Sequence, residues 1–286
     1  MHAKTHFSAV AAFSISLFAA GAHAQSGIAF ITDVKGDAAI DAGKAALMAE
    51  IKKGARIVCN KECAVGVMFL LSGKEFVLKG PGDFLVGDAE VTAKIGPPPT
   101  LRETKWKVSS QVVAQAAQSS SASIRMRSLG AGGKADAPLA AERLIYPRDT
   151  SVATLQPAFR WASANAKGPF EFELKTGDNP KPVYKAKATA TNMNLPASVK
   201  LQPDVEYSWA VKSPASEVGM SKFKTLPAHA IETTQKRKPD EKAPFSDWLL
   251  YALTLKEVGA TQDAGEIWAK LSKDRPDLPE LAALAK

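Results

Sequence analysis

Histidine is almost missing from this sequence. Of four in 286 residues, His2, His6 and His23 fall in the first 24 positions, and His229 stands alone in the rest. His2 and Lys4 precede an apolar run over 7–20, and Ala22-His23-Ala24 before Gln25 has the small-x-small form of a signal-peptidase site. A secretory signal peptide is therefore expected over 1–24, cleaved near Ala24. The mature chain then keeps one imidazole, too few for histidine-based catalysis or a histidine metal cluster. No later apolar stretch reaches the roughly 18 residues that a membrane-crossing helix needs. Nor does a cysteine follow the cleavage site to accept a lipid. The expected location is periplasmic or secreted, with no transmembrane segment.

Cysteine is sparser still in the full sequence. Cys59 and Cys63 are the only two, and in an oxidising compartment they are expected to bond to each other. A zinc site would require about two further nitrogen or sulfur donors. A redox motif usually has two residues between its cysteines, where this sequence has three. Acidic residues are outnumbered, 29 to 37, for a formal charge of +8, or +7 once Lys4 is removed. In an exported protein this surplus points to anionic surfaces or cell-wall polymers rather than to nucleic acid. Residues 101–128 concentrate Arg102, Lys105, Lys107, Arg125 and Arg127 against Glu103 alone, which reads as a solvated face. The apolar fraction of 45% and charged fraction of 23% are ordinary for a globular protein.

Over residues 25–96, short β-rich runs alternate with glycine-containing turns, the pattern of a small all-β domain. Ser72-Gly73 marks a hairpin turn, and Asn60-Lys61-Glu62 joins the two cysteines, so that a disulfide would clamp a second hairpin. Three segments, Val34-Lys-Gly36-Asp-Ala-Ala-Ile40, Ile51-Lys-Lys-Gly54-Ala-Arg-Ile57 and Val67-Met-Phe-Leu-Leu-Ser-Gly73-Lys-Glu-Phe-Val-Leu78-Lys-Gly-Pro-Gly, resemble the periplasmic FecR-like domain. Ser72 stands where that family usually has Asp. The family's signal-transducing members carry a transmembrane helix that is not found here, so the resemblance does not extend to control of a sigma factor. It does imply a ligand-sensing or glycan-binding role as the alternative function.

Gly96-Pro97-Pro98-Pro99 is read as the end of this unit, because consecutive prolines cannot continue a strand ladder. Residues 97–143 then form an extension and linker, with a short helix over 108–118 capped by Ser109 or Ser110, a lone strand over 123–128 and a flexible connection over 129–141. Residues 144–226 again read as strands at sandwich-like intervals. Leu201-Gln-Pro-Asp-Val-Glu-Tyr207-Ser-Trp-Ala-Val211 and Pro157-Ala-Phe-Arg-Trp161 resemble the fibronectin type III fold, which implies core roles for Trp161 and Tyr207, the tyrosine returning its hydroxyl to a backbone group. Residues 227–244, including Lys236-Arg-Lys-Pro-Asp-Glu-Lys, read as a solvated basic linker.

Helical periodicity takes over in 245–286. Trp248, Tyr251, Ala252 and Leu255 recur at helical spacing, Gly259 interrupts, and Ala264, Ile267, Trp268 and Leu271 resume before Pro276. The placement of Trp248, Ala252, Gly259, Ala264, Trp268 and Pro276 resembles one tetratricopeptide repeat, followed by a short third helix from Pro279. Trp248 and Trp268 are expected to pack between the two helices. A single repeat cannot bury both faces, so the hairpin must pack on a partner or on its own chain, with Leu249, Leu253 and Leu278 as candidate interface residues.

Signs of catalysis are weak. Ser221-Lys-Phe-Lys224 and Lys175-Thr-Gly177 imitate motifs of penicillin-recognising enzymes, but they occur in the wrong order and lack a Ser-Asp-Asn between them. No catalytic, cofactor or metal residue is assigned. Trp106, flanked by Lys105 and Lys107, is expected to close the first β unit rather than to rest on an envelope surface. The fold class expected is mainly β: a FecR-like domain, an immunoglobulin- or fibronectin-like sandwich and a C-terminal helical hairpin. The function expected is a non-enzymatic envelope scaffold that meets protein partners through that hairpin.

Overall fold

The computed structural model describes residues 27–104, 106–128, 142–163, 168–214 and 217–285; the expected signal peptide and the connection over 129–141 lie outside them. The described fold is mainly β, built from antiparallel sheets with helices gathered toward the C-terminus.

The first unit contains strands β1 (Ala29–Lys35), β2 (Ala38–Ile40), β3 (Gly43–Lys44), β4 (Glu50–Ile51), β5 (Arg56–Cys59), β6 (Ala64–Phe69), β7 (Lys74–Lys79), β8 (Gly82–Val86), β9 (Val91–Ile95) and β10 (Thr100–Glu103). They form two sheets, ordered β10-β7-β6-β1-β4 and β3-β2-β5-β8-β9, around a core that includes Ile31, Ile57, Val65, Val67 and Phe84. β1 and β6 are buried on both faces, and so read as continuous apolar runs instead of alternating. Ile31 and Val67 face that core, whereas Phe30 and Met68 face the helices.

Two expectations for this unit change. The prolines do not end it, since β10 follows them and pairs with β7 in the register Leu101↔Phe76. Cys59 and Cys63 are bonded, with Cα atoms 5.4 Å apart, but they do not clamp a hairpin: β5 and β6 belong to different sheets, so the bridge pins the corner where the chain crosses between them. The β6–β7 hairpin has its turn at Gly73, whose φ of 69° and whose approach to the Trp106 carbonyl both exclude a side chain.

Helix α1 (Ser110–Ser128) follows, with the Ser109 hydroxyl accepting from the Val112 N–H at its start. It runs through the segment expected to be a lone strand. Ahead of that segment, Ser119 and Ser120 donate to the Gln115 and Ala117 carbonyls within the helix.

The second unit comprises β11 (Glu142–Tyr146), β12 (Thr150–Val152), β13 (Ala158–Ser163), β14 (Phe170–Thr176), β15 (Pro182–Ala188), β16 (Asn192–Asn194), β17 (Glu206–Lys212) and β18 (Glu217–Thr225). A sheet ordered β11-β13-β16 packs on one ordered β12-β18-β17-β14-β15, in which β12 runs parallel to β18. Inward positions alternate along β13 and β14, and Phe159 and Phe172 from them meet Trp209 of β17 and Phe223 of β18 in a cluster of edge-to-face and tilted contacts. Trp161 and Tyr207 lie in this core, and the Tyr207 hydroxyl accepts the Gln202 N–H at 2.8 Å.

The remaining chain is helical: α2 (Ala228–Arg237), α3 (Phe245–Glu257), α4 (Thr261–Asp274) and α5 (Pro279–Leu284). α2 replaces the first part of the expected solvated linker. Ala230, Ile231 and Thr234 form its buried face, and the Thr234 hydroxyl donates back to Ala230 and Ile231, so a polar residue is buried at no cost in unmet hydrogen bonds.

Candidate functional site

The helices do not stand apart from the β units; they join them. Their apolar side chains share one core with Phe30, Leu47, Met48 and Met68 of the first unit, with Trp106 and Val108 of the crossover, and with Val112, Val113 and Ala116 of α1. Leu249, Leu253 and Leu278 are 0%, 0% and 7% exposed and belong to this core. They are therefore corrected from candidate partner contacts to contacts within the chain. The neighbours that an isolated repeat lacks are supplied here by β1, α1 and α5.

Three polar seams set the arrangement. In the first, Glu75 on β7 is 1% exposed, accepts from Thr32 Oγ1 and from Arg102 Nε, each at 2.5 Å, and forms an ion pair with Arg102. Arg102 reaches on to α3, donating from Nη1 to Asp247 Oδ1 and from Nη2 to Ser246 Oγ, both at 2.8 Å. Trp106 Nε1 donates to the same Asp247 oxygen at 2.9 Å. Burial works against the charge on Arg102, but Glu75 and then Asp247 more than offset it, holding its pKa above the ordinary value. Gly66 is required beside this group, because a Cβ there would collide with Thr32 Oγ1. Of the basic residues expected on a solvated face, Lys107 and Arg125 are exposed, but Arg102 is drawn into the joint between β10 and α3.

In the second seam, Arg275 follows α4 and forks between Asp33 Oδ1 at 2.6 Å, the Val34 carbonyl and Asp277, while its plane lies over the Phe245 ring. In the third, the first turn of α4 reads the sandwich. Asp263 accepts from the Tyr146 hydroxyl at 2.6 Å and from the Ala153 N–H at 3.1 Å. Gln262 accepts from the Arg148 N–H and donates to the Ile145 carbonyl, and Glu266 pairs with Arg160, which rests over the Tyr146 ring. Burial pushes the Asp263 carboxyl up from the usual range, opposed by the Tyr146 and Ala153 hydrogen bonds and by Arg160. Burial likewise raises Tyr146.

Trp268 is buried among α3, α4 and α5, at 1% exposure. Trp248 differs: it is only half-buried, edge-on to Tyr251 and covered by the Lys270 ammonium 4.7 Å from its ring. Trp106 is 2% exposed against Tyr251, so it closes the joint between the first unit and the helices.

The fragments that imitate catalytic motifs are not brought together. Ser221 lies on β18 with its hydroxyl toward its neighbour's carbonyl, Lys224 pairs with Asp204, and Lys175, two strands away on β14, pairs with Glu173. His229 is exposed on α2. Among the described residues no group of three or more His, Cys, Asp or Glu is placed to hold a metal. The residues that organise the structure, Glu75, Arg102, Asp263 and Arg275, were not singled out from sequence for such roles, because their partners lie up to 242 positions away. Neither protein-family models nor curated proteins give any match to this chain.

Proposed function

We propose that this is an exported, non-catalytic envelope protein that acts as a rigid interaction scaffold, with a FecR-like first unit, a fibronectin type III-like sandwich and a tetratricopeptide-like hairpin. The observation that carries the reading is that α3 and α4 each give the side chains of their first turn to a different β unit, so the helices hold two β surfaces in one fixed relation. A catalyst would need converging reactive groups in a cleft, whereas the polar groups buried in the seams are matched to one another. The motif glycines Gly36, Gly54 and Gly73, all at positive φ, and the Tyr207 hydroxyl bonded to Gln202 support the two β resemblances. The disulfide supports an oxidising compartment. Its partner surface lies elsewhere than Leu249, Leu253 and Leu278, which the fold already covers.

Site-specific photocrosslinking in cells tests this, using a benzoylphenylalanine at exposed Ile95, Val183 or Met220 in turn. Discrete protein adducts, identified by mass spectrometry, are expected from at least one position. Retention on isolated cell wall with no protein adduct would replace the scaffold by a glycan-binding role.

A further inference from the structure

A groove of about 470 Å³ runs between the sandwich and α4, with Ile145, Tyr146 and Arg160 on one wall and Lys256, Leu284 and Ala285 among the residues of the other. Its size falls in the range of ligand sites. Gly265 and Ala269, one turn apart on α4, lie among the lining residues, and a Cβ built at Gly265 meets no atom within 4 Å. Ile145 stands 38% exposed at the groove although it is a large aliphatic side chain.

The charges on the two walls are unequal. Arg160 is already paired with Glu266 and stacked on Tyr146. Lys256 is half-buried at the end of α3, its ammonium forms no ion pair or hydrogen bond among the described residues, and burial lowers its pKa. A half-buried ammonium with no counter-ion among the described residues is open to an anion from outside the chain.

We propose that this groove docks an acidic, extended segment of a partner protein, whose carboxylate pairs with Lys256 while flanking apolar side chains cover Ile145 and Leu284. The inference rests on the scaffold reading and names where that scaffold makes contact. The apolar part of the lining favours a peptide over a free inorganic anion, which would leave Ile145 and Leu284 in water.

The test screens a displayed library of random seven-residue peptides against the full mature protein, then titrates synthetic copies of the enriched sequences by calorimetry at low and high salt. Enriched sequences should carry an Asp or Glu beside apolar residues and bind more weakly as salt rises. Lys256→Met should weaken them at least tenfold. Gly265→Leu, which fills the groove and improves helix propensity, should abolish binding without loss of fold by circular dichroism. No enrichment, enrichment without acidic residues, inorganic phosphate competing as well as the peptides, or equal binding by either variant would overturn the proposal. If the crosslinks from Ile95, Val183 or Met220 persist in that event, only the groove assignment falls; if they are absent as well, the scaffold reading falls with it.

Discussion

One buried acid and one half-buried acid carry opposite lessons at the scale of single residues. Glu75 is compensated, so the cost appears when its partner is removed. Arg102→Ala would leave a carboxylate that is 1% exposed with only the Thr32 and Ser246 hydroxyls, and should cost about 3 kcal/mol. Replacing both, as Glu75→Met with Arg102→Leu, should recover most of that loss, because no charge is then left buried alone. Urea denaturation of the three proteins decides it, and a cost for Arg102→Ala below about 1 kcal/mol would show the pair to be as weak as a surface bridge. Asp263 is the under-compensated case. Its raised pKa means that the folded protein holds this proton to higher pH than the unfolded chain does. Its contribution to stability is therefore fullest below the ordinary carboxylate range, near pH 4, and declines as pH rises through the raised value. Asp263→Asn imitates the protonated acid and still has an oxygen and an N–H to meet Ala153 and Tyr146. Its stability relative to wild type should climb as pH increases above about 4; a difference that stays flat or falls would mean that Tyr146, Ala153 and Arg160 outweigh the desolvation.

For the elements, the C-terminal hairpin separates two tryptophans that the sequence pattern treats alike. Trp268 has no exposed surface to speak of and should cost about 3–5 kcal/mol on replacement by Ala. Trp248→Ala should cost nearer 1–2 kcal/mol, since its ring is half in solvent and loses chiefly the Tyr251 edge and the Lys270 ammonium. Equal shifts in thermal denaturation would show that Trp248 is packed as tightly as its counterpart. The two helices were legible because apolar residues recur on them at one spacing with Gly259 between. α2 was not, because its buried face is two aliphatic residues and a threonine that satisfies its own hydroxyl, set in a sequence dominated by charge. The later part of α1 was hidden because Ser123-Ile-Arg-Met-Arg alternates polar and apolar residues as a strand would. Hydropathy records what a residue is, not where its hydrogen bonds go.

At the level of the whole molecule, the sequence divides into modules more cleanly than the structure does. The turn glycines, the strand spacing and the Tyr207 corner mark two β units, and each has a core of its own. What no local pattern discloses is that β1 and β6 serve two cores at once, because a strand buried on both faces looks the same whether a sheet or a set of helices lies behind it. The two β units should therefore behave differently when cut out. Residues 142–226 keep their core intact and lose mainly the polar seam to α4, so this fragment should fold alone with a cooperative transition. Residues 27–109 would expose Phe30, Leu47, Met48, Met68 and Trp106 together, an apolar patch that a monomer does not normally present. That fragment should bind a hydrophobic dye strongly and aggregate, and the full chain with 245–286 deleted should do the same. Dye fluorescence and sedimentation of the fragments test the contrast. A well-folded, dye-silent 27–109 would mean that the helices merely rest on a finished domain, and the bracket that underlies the scaffold reading would lose its structural necessity.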